Sequence, residues 1–133
     1  MRRQSREIAL QILFQTEYAP QISFEDLLSL YEDKKEAAAI KYADTIIRGV
    51  QEFQTKIDEK IQLASRHWKI ERMGGVDRNI LRIAVFEIFH ATEMLEAKIA
   101  INEAIELAKV YGAQESSSFV NGILDQVVRN ERQ

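Results

Sequence analysis

Apolar residues recur at three- and four-residue spacing along nearly the whole chain, the period of one face of an α-helix. Leu10, Leu13, Phe14 and Tyr18 share such a face, and Ala9 and Ile12 widen it. The spacing predicts a helix over 3–18, stopped by Pro20, because proline disfavours helical geometry in the residue before it. Ser23 is placed to cap the next helix, whose stripe is Phe24, Leu27, Leu28 and Tyr31. The run Glu32 to Glu36 is charged throughout and reads as a solvated connection. Between Glu36 and Ser65 there is no proline, and Ile40, Ala43, Ile47, Val50, Ile57 and Ile61 keep helical register. That stretch is long for one globular helix, so a break near Gln54 is expected.

Gly74-Gly75 then reads as a turn, with Asp77 as the N-cap of a helix over 78–91. This helix is apolar nearly all round, which places it at the centre of a bundle. Ile101, Ala104, Ile105, Ala108 and Tyr111 line another helix, with Gly112 as a left-handed cap. Phe119, Val120, Ile123, Leu124, Val127 and Val128 line the last. No stretch alternates with period two. The expected architecture is all-α, a single compact domain of about six or seven helices.

Composition narrows the functional classes. The 133 residues contain no cysteine, which excludes disulfides, thiolate metal sites and a cysteine nucleophile. His67 and His90, the two histidines, lack metal-ligand spacing, and no glycine-rich phosphate loop is present. No metal, no cofactor and no catalytic role are therefore expected. The net charge of −3 excludes a uniformly basic nucleic-acid coat while allowing a local basic site. No run approaches the length of a membrane span, and the amino terminus lacks a secretory apolar core. A cytoplasmic location and no membrane partner are the simplest expectations.

The basic cluster Arg2, Arg3 and Arg6 is the most informative polar feature. Cations at a helix amino terminus oppose the macrodipole by roughly 0.3–1 kcal/mol each. An anionic partner would account for them, since guanidinium forks match phosphate oxygens; a frayed terminus is the plain alternative. Phe14 reads as core. Phe119 follows three serines at a helix start, where an aromatic ring can stack a base, although core packing accounts for it as well. Gly122 inside the last helix implies close approach of a neighbouring backbone. Trp68, with His67, Lys69 and Arg72, reads as a subdomain junction or a protein-contact surface.

Several blocks together resemble one family. They are Arg2 to Phe14; Ile47-Arg48-Gly49-Val50; Trp68; Val76-Asp77-Arg78 with Ile80-Leu81-Arg82-Ile83-Ala84 and Phe86-Glu87; Ile101 to Gly112; and Phe119-Val120-Asn121-Gly122-Ile123-Leu124-Asp125. This order is similar to the NusB family of transcription antitermination factors, over essentially the whole chain. The resemblance implies two packed helical subdomains, roughly 1–70 and 71–133, and a non-enzymatic role. It implies pairing with the ribosomal protein NusE, binding of boxA RNA, and read-through by RNA polymerase alongside other Nus factors, notably in ribosomal RNA operons. By position, Arg2, Arg3, Arg6, Gln11 and Phe14, together with Glu115, Ser118 and Phe119, correspond to the RNA surface. Trp68, Arg72 and Asp77 correspond to the NusE-facing side. For the free protein the resemblance leaves both a monomer and a homodimer open.

The chain departs from the family pattern at Phe14, where many relatives carry tyrosine, and at Ser118, where a basic residue often precedes the aromatic. A proline common near Leu95 is missing. Three arginines facing about three phosphates imply a salt slope near −2 for single-stranded RNA, a modest contribution. Two other readings compete with antitermination. One is a helical adaptor that contacts only proteins, which would have no need of the amino-terminal arginines. The other is the NusB-like accessory domain of an RNA-modifying enzyme, for which this chain supplies no methyl-donor domain.

Overall fold

In the computed structural model, which describes residues 2–131, the helical period resolves into seven α-helices and one short 3-10 turn. They are α1 (Arg2–Tyr18), α2 (Phe24–Ser29), α3 (Ala37–Glu52), α4 (Gln54–Ala64), the 3-10 turn Ile70–Arg72, α5 (Gly75–Phe89), α6 (Ala97–Tyr111) and α7 (Ser116–Glu131). Among the described residues there is no strand. None of these helices is long and apolar enough to cross a membrane.

The chain divides into two compact units, Met1–Arg48 and Gly49–Gln133, with the boundary inside α3. The resemblance implied subdomains meeting near residue 70. The packing of α4 on α5 and α7 accounts for the difference, because it gathers α4 into the second unit.

In the first unit α1 packs on α2. Ser5, fully buried, donates from its hydroxyl to the Ala39 carbonyl at 2.8 Å and ties the first turn of α1 to the start of α3. Ser23 caps α2 as expected, its side chain accepting from the Asp26 amide at 3.1 Å. Pro20 lies just past the end of α1.

In the second unit α5 is the central element, packed against α4, α6 and α7. Ile80, Leu81, Ile83, Ala84, Val85 and Phe86 are all buried along it, each large side chain contributing about 1.5–3 kcal/mol relative to exposure. Arg82 is buried too, and its fork is satisfied by Asp58 of α4, with Nε–Oδ1 at 2.9 Å and Nη2–Oδ2 at 3.0 Å. Lys60 of α4 meets Glu131 of α7 at 3.1 Å.

Three local expectations need adjustment, whereas the break expected near Gln54 is borne out. The long helical stretch breaks at Phe53, one residue before Gln54. The N-cap of α5 is Gly74 and not Asp77, which sits in the first turn, where a carboxylate favours the helix dipole. Gly112 ends α6 in extended geometry, φ −91° and ψ −176°, and not as a left-handed cap. It is small for another reason: a Cβ there would lie 2.5 Å from the Ser116 side chain, so the α6–α7 turn is tight. Gly122 has open space where a Cβ would stand, and no backbone approaches it. Gly49, by contrast, lies beneath the ring of Phe86, which leaves no room for a Cβ.

Candidate nucleic-acid interface

The amino-terminal residues of interest all lie on α1. Arg3 and Phe14 are eleven positions apart, close to three helical turns, so they stand in line along one strip about 16 Å in length. Arg2 and Arg3 are exposed. The Arg2 guanidinium lies 4.2 Å from the centroid of the Tyr42 ring, a cation–π contact that holds the side chain against α3. Arg6 differs from both. It is 5% exposed, beside the buried Ser5 that docks this turn on α3. Of the three arginines expected to face a phosphate, Arg2 and Arg3 are exposed and Arg6 is not.

Gln11 is half-buried, and its Oε1 accepts from the Tyr31 hydroxyl of the connection after α2. Burial raises the Tyr31 pKa above the ordinary tyrosine value, so Tyr31 remains a donor to Gln11. Phe14, expected in the core, is half-buried and pairs with Tyr18, ring centroids 4.9 Å apart and tilted by 49°. Tyr18 is 65% exposed. Sequence reasoning treated it as one more stripe residue; its spacing of four from Phe14 was the available signal for an aromatic pair.

The remaining candidates come from the second unit. Ser116, buried, starts α7, and its hydroxyl accepts from the Ala113 amide at 2.9 Å, which fixes the turn out of α6. Ser118 is exposed on the first turn of α7 and Phe119 is half-buried there. Trp68, Arg72, Asp77, Glu115 and Phe119 line one cavity of about 240 Å³, together with the buried Met73. The sequence assigned Glu115 and Phe119 to one surface and Trp68, Arg72 and Asp77 to another; the structure brings all five into the same wall. Ser118 lies outside that lining.

The cavity is smaller than the ~300–1,000 Å³ that holds a drug-sized molecule. Its rings suit stacking, its two carboxylates accept N–H groups, and its guanidinium donates. Among the described residues no three histidine or carboxylate side chains gather as a metal would require.

Comparison with known proteins decides the family. The NusB family model matches residues 3–129. The chain belongs to the NusB family. The Transcription antitermination protein NusB of Bdellovibrio bacteriovorus is 56% identical over 126 residues, covering 95% of this chain and 93% of that one. A solved structure of T. maritima NusB superposes with a TM-score of 0.85 at 34% identity, over 97% of this chain and 91% of that one. A chain in the crystal structure of antitermination factors NusB and NusE in complex with dsRNA superposes at 0.81 and 26% identity, over 97% and 96% respectively.

The family match runs across both units, so the α1 strip and the cavity of the second unit lie within the shared sequence. The resemblance seen in the sequence is thereby established as membership of the NusB family, with its all-helical fold.

Proposed function

We propose that this chain is an antitermination factor that binds boxA RNA as a heterodimer with NusE. In this reading it acts with the other Nus factors on RNA polymerase and promotes read-through, notably in ribosomal RNA operons. The observation that carries the reading is the superposition over almost the whole chain on the protein crystallised with NusE and dsRNA. The residues support it. Arg2 and Arg3 are exposed cations at the start of α1, able to neutralise phosphates. Phe14 and Phe119 are half-buried rings that can stack unpaired bases. Gln11, Glu115 and Ser118 supply polar contacts beside them.

Arg6 is buried, so the exposed cations in the first turn of α1 are Arg2 and Arg3. With two exposed cations in place of three, the salt slope for single-stranded RNA becomes about −1.4. Trp68, Arg72 and Asp77 form the NusE-facing side, and the shared cavity makes that side continuous with the base-stacking residue Phe119.

The test is a titration of labelled boxA RNA and a scrambled control, each with and without NusE. The reading expects boxA to bind more tightly than the control and NusE to strengthen it. Equal affinity for both RNAs in the presence of NusE refutes it.

A further inference from the structure

Trp68 is 58% exposed, and a partner that covers an exposed indole on a loose loop must first order it, which weakens binding. Here the loop is already tied. Gln62, in the last turn of α4, donates from Nε2 to the Ser65 carbonyl at 3.0 Å and to the Trp68 carbonyl at 2.9 Å. Its Oε1 accepts from the Ile70 amide at 3.0 Å. Ser65 adds a second donor to the Trp68 carbonyl, from its hydroxyl at 2.9 Å. From the other side the buried Arg78 donates through Nη1 to the Ile70 carbonyl at 3.2 Å and to the Met73 carbonyl at 2.7 Å.

All these bonds end on main-chain groups. They fix the path of the chain from Ser65 to Met73 and leave the indole to solvent. A simple cap on α4 would need only the bond to Ser65; the reach of Gln62 to Trp68 and Ile70 goes past the helix end and closes the loop upon it. Arg72, exposed within the 3-10 turn, is carried on the same tied segment.

We infer that Gln62, seconded by Ser65 and Arg78, is a positioning residue that holds the Trp68 loop in its docking geometry, so that a protein partner meets Trp68 and Arg72 already in place. The inference rests on the NusE-facing reading of Trp68 and Arg72 and deepens it. A loop that visits its docking geometry only part of the time binds in proportion to that fraction. Gln62→Ala is therefore expected to weaken NusE binding about tenfold, mainly through slower association, if the ordered fraction falls to about one-tenth.

The chain has a single tryptophan, so time-resolved fluorescence anisotropy of the whole 133-residue chain reports this loop alone. Gln62→Ala is expected to speed the local depolarisation of Trp68. Gln62→Glu keeps the acceptor for the Ile70 amide, loses both donors, and should fall between; it serves as the second variant if Gln62→Ala does not fold. Leu63→Ala, at an adjacent exposed site, should change neither readout. In a Trp68→Ala background, Gln62→Ala should weaken NusE binding little further, because the group it positions is gone. Equal weakening with and without Trp68 overturns the inference, as do unchanged anisotropy and affinity in both Gln62 variants. Failure of the wild-type chain to bind NusE overturns the heterodimer reading itself, and this docking role with it.

Discussion

The same substitution at two helical glycines should move stability in opposite directions. Gly122 stands exposed in α7, and a Cβ there meets nothing within 4 Å. Alanine gains about 0.5–1 kcal/mol over glycine in helix interiors, chiefly by restricting the unfolded chain. Gly49 stands in α3, where a Cβ would lie 2.0 Å from Phe86 Cε1 and 2.4 Å from Cζ. Phe86 is 3% exposed, so its ring cannot simply swing into solvent. Overpacking of an ordinary core costs about 1–3 kcal/mol, and an overlap this deep belongs at or beyond the upper end. Against the helix-propensity gain, Gly49→Ala should destabilise by about 2 kcal/mol. For a chain of this length each kcal/mol moves the thermal midpoint by about 3–5 °C. Gly122→Ala should therefore raise it by about 2–5 °C and Gly49→Ala lower it by about 6–10 °C. Circular dichroism melts of the two variants and the wild type decide the matter. Two shifts of the same sign would refute the packing argument.

Other consequences follow from particular contacts. Asp58→Ala strips the buried Arg82 fork of its carboxylate; because Asp58 is partly exposed, the loss should lie near the lower end of the range for broken buried pairs, about 3 kcal/mol, measured by urea unfolding. His90 is stacked on Phe53 at 4.7 Å, and its pKa is lowered first by burial and then by Lys60 and Lys56, with Glu131 opposing. The unfolded state then binds the proton more readily, so stability is complete above about pH 6.5 and falls as pH drops from there toward the folded-state pKa. His90→Phe should remove that part of the acid sensitivity in melts across pH 5–8. Arg2→Ala with Arg3→Ala should weaken boxA binding and flatten its salt slope by about 1.4, leaving NusE affinity in a pull-down or calorimetric titration as in the wild type.

Helix existence was readable throughout, because burial on one face writes itself into residue spacing. The Ser23 cap and the central place of α5 followed from side-chain chemistry and from an apolar girdle that nothing but surrounding helices can cover. What failed were readings that depend on a neighbour remote in sequence. Gly122 and Gly49 look alike in the chain; only the ring of Phe86 distinguishes them. Arg6 looks like its fellow arginines until Ser5 finds the Ala39 carbonyl and turns that side of α1 inward. The two groups of candidate residues from the second unit, far apart in sequence, meet because α5 and the start of α7 flank the same tied loop. Gln62 carried no signal in the sequence, since a lone glutamine in a helix resembles any solvated one.

The charge distribution limits how tightly this chain alone can hold RNA. With 18 basic against 21 acidic residues, long-range attraction to a polyanion is absent. Two half-buried rings at about 1–3 kcal/mol per stacked base offer about 2–6 kcal/mol, whereas micromolar affinity needs about 8 kcal/mol. Two exposed arginines add a term that shrinks with salt. The chain alone should therefore bind boxA more weakly than micromolar at physiological ionic strength. If NusE supplies the missing cations, the slope of log affinity against log salt must steepen beyond the −1.4 or so of the single chain when NusE is added. If NusE instead acts only by rigidifying this protein, affinity rises while the slope stays fixed. Anisotropy titrations of labelled boxA RNA at several salt concentrations, with and without NusE, separate the two. An unchanged slope would refute the idea that the transcript runs across both polypeptides.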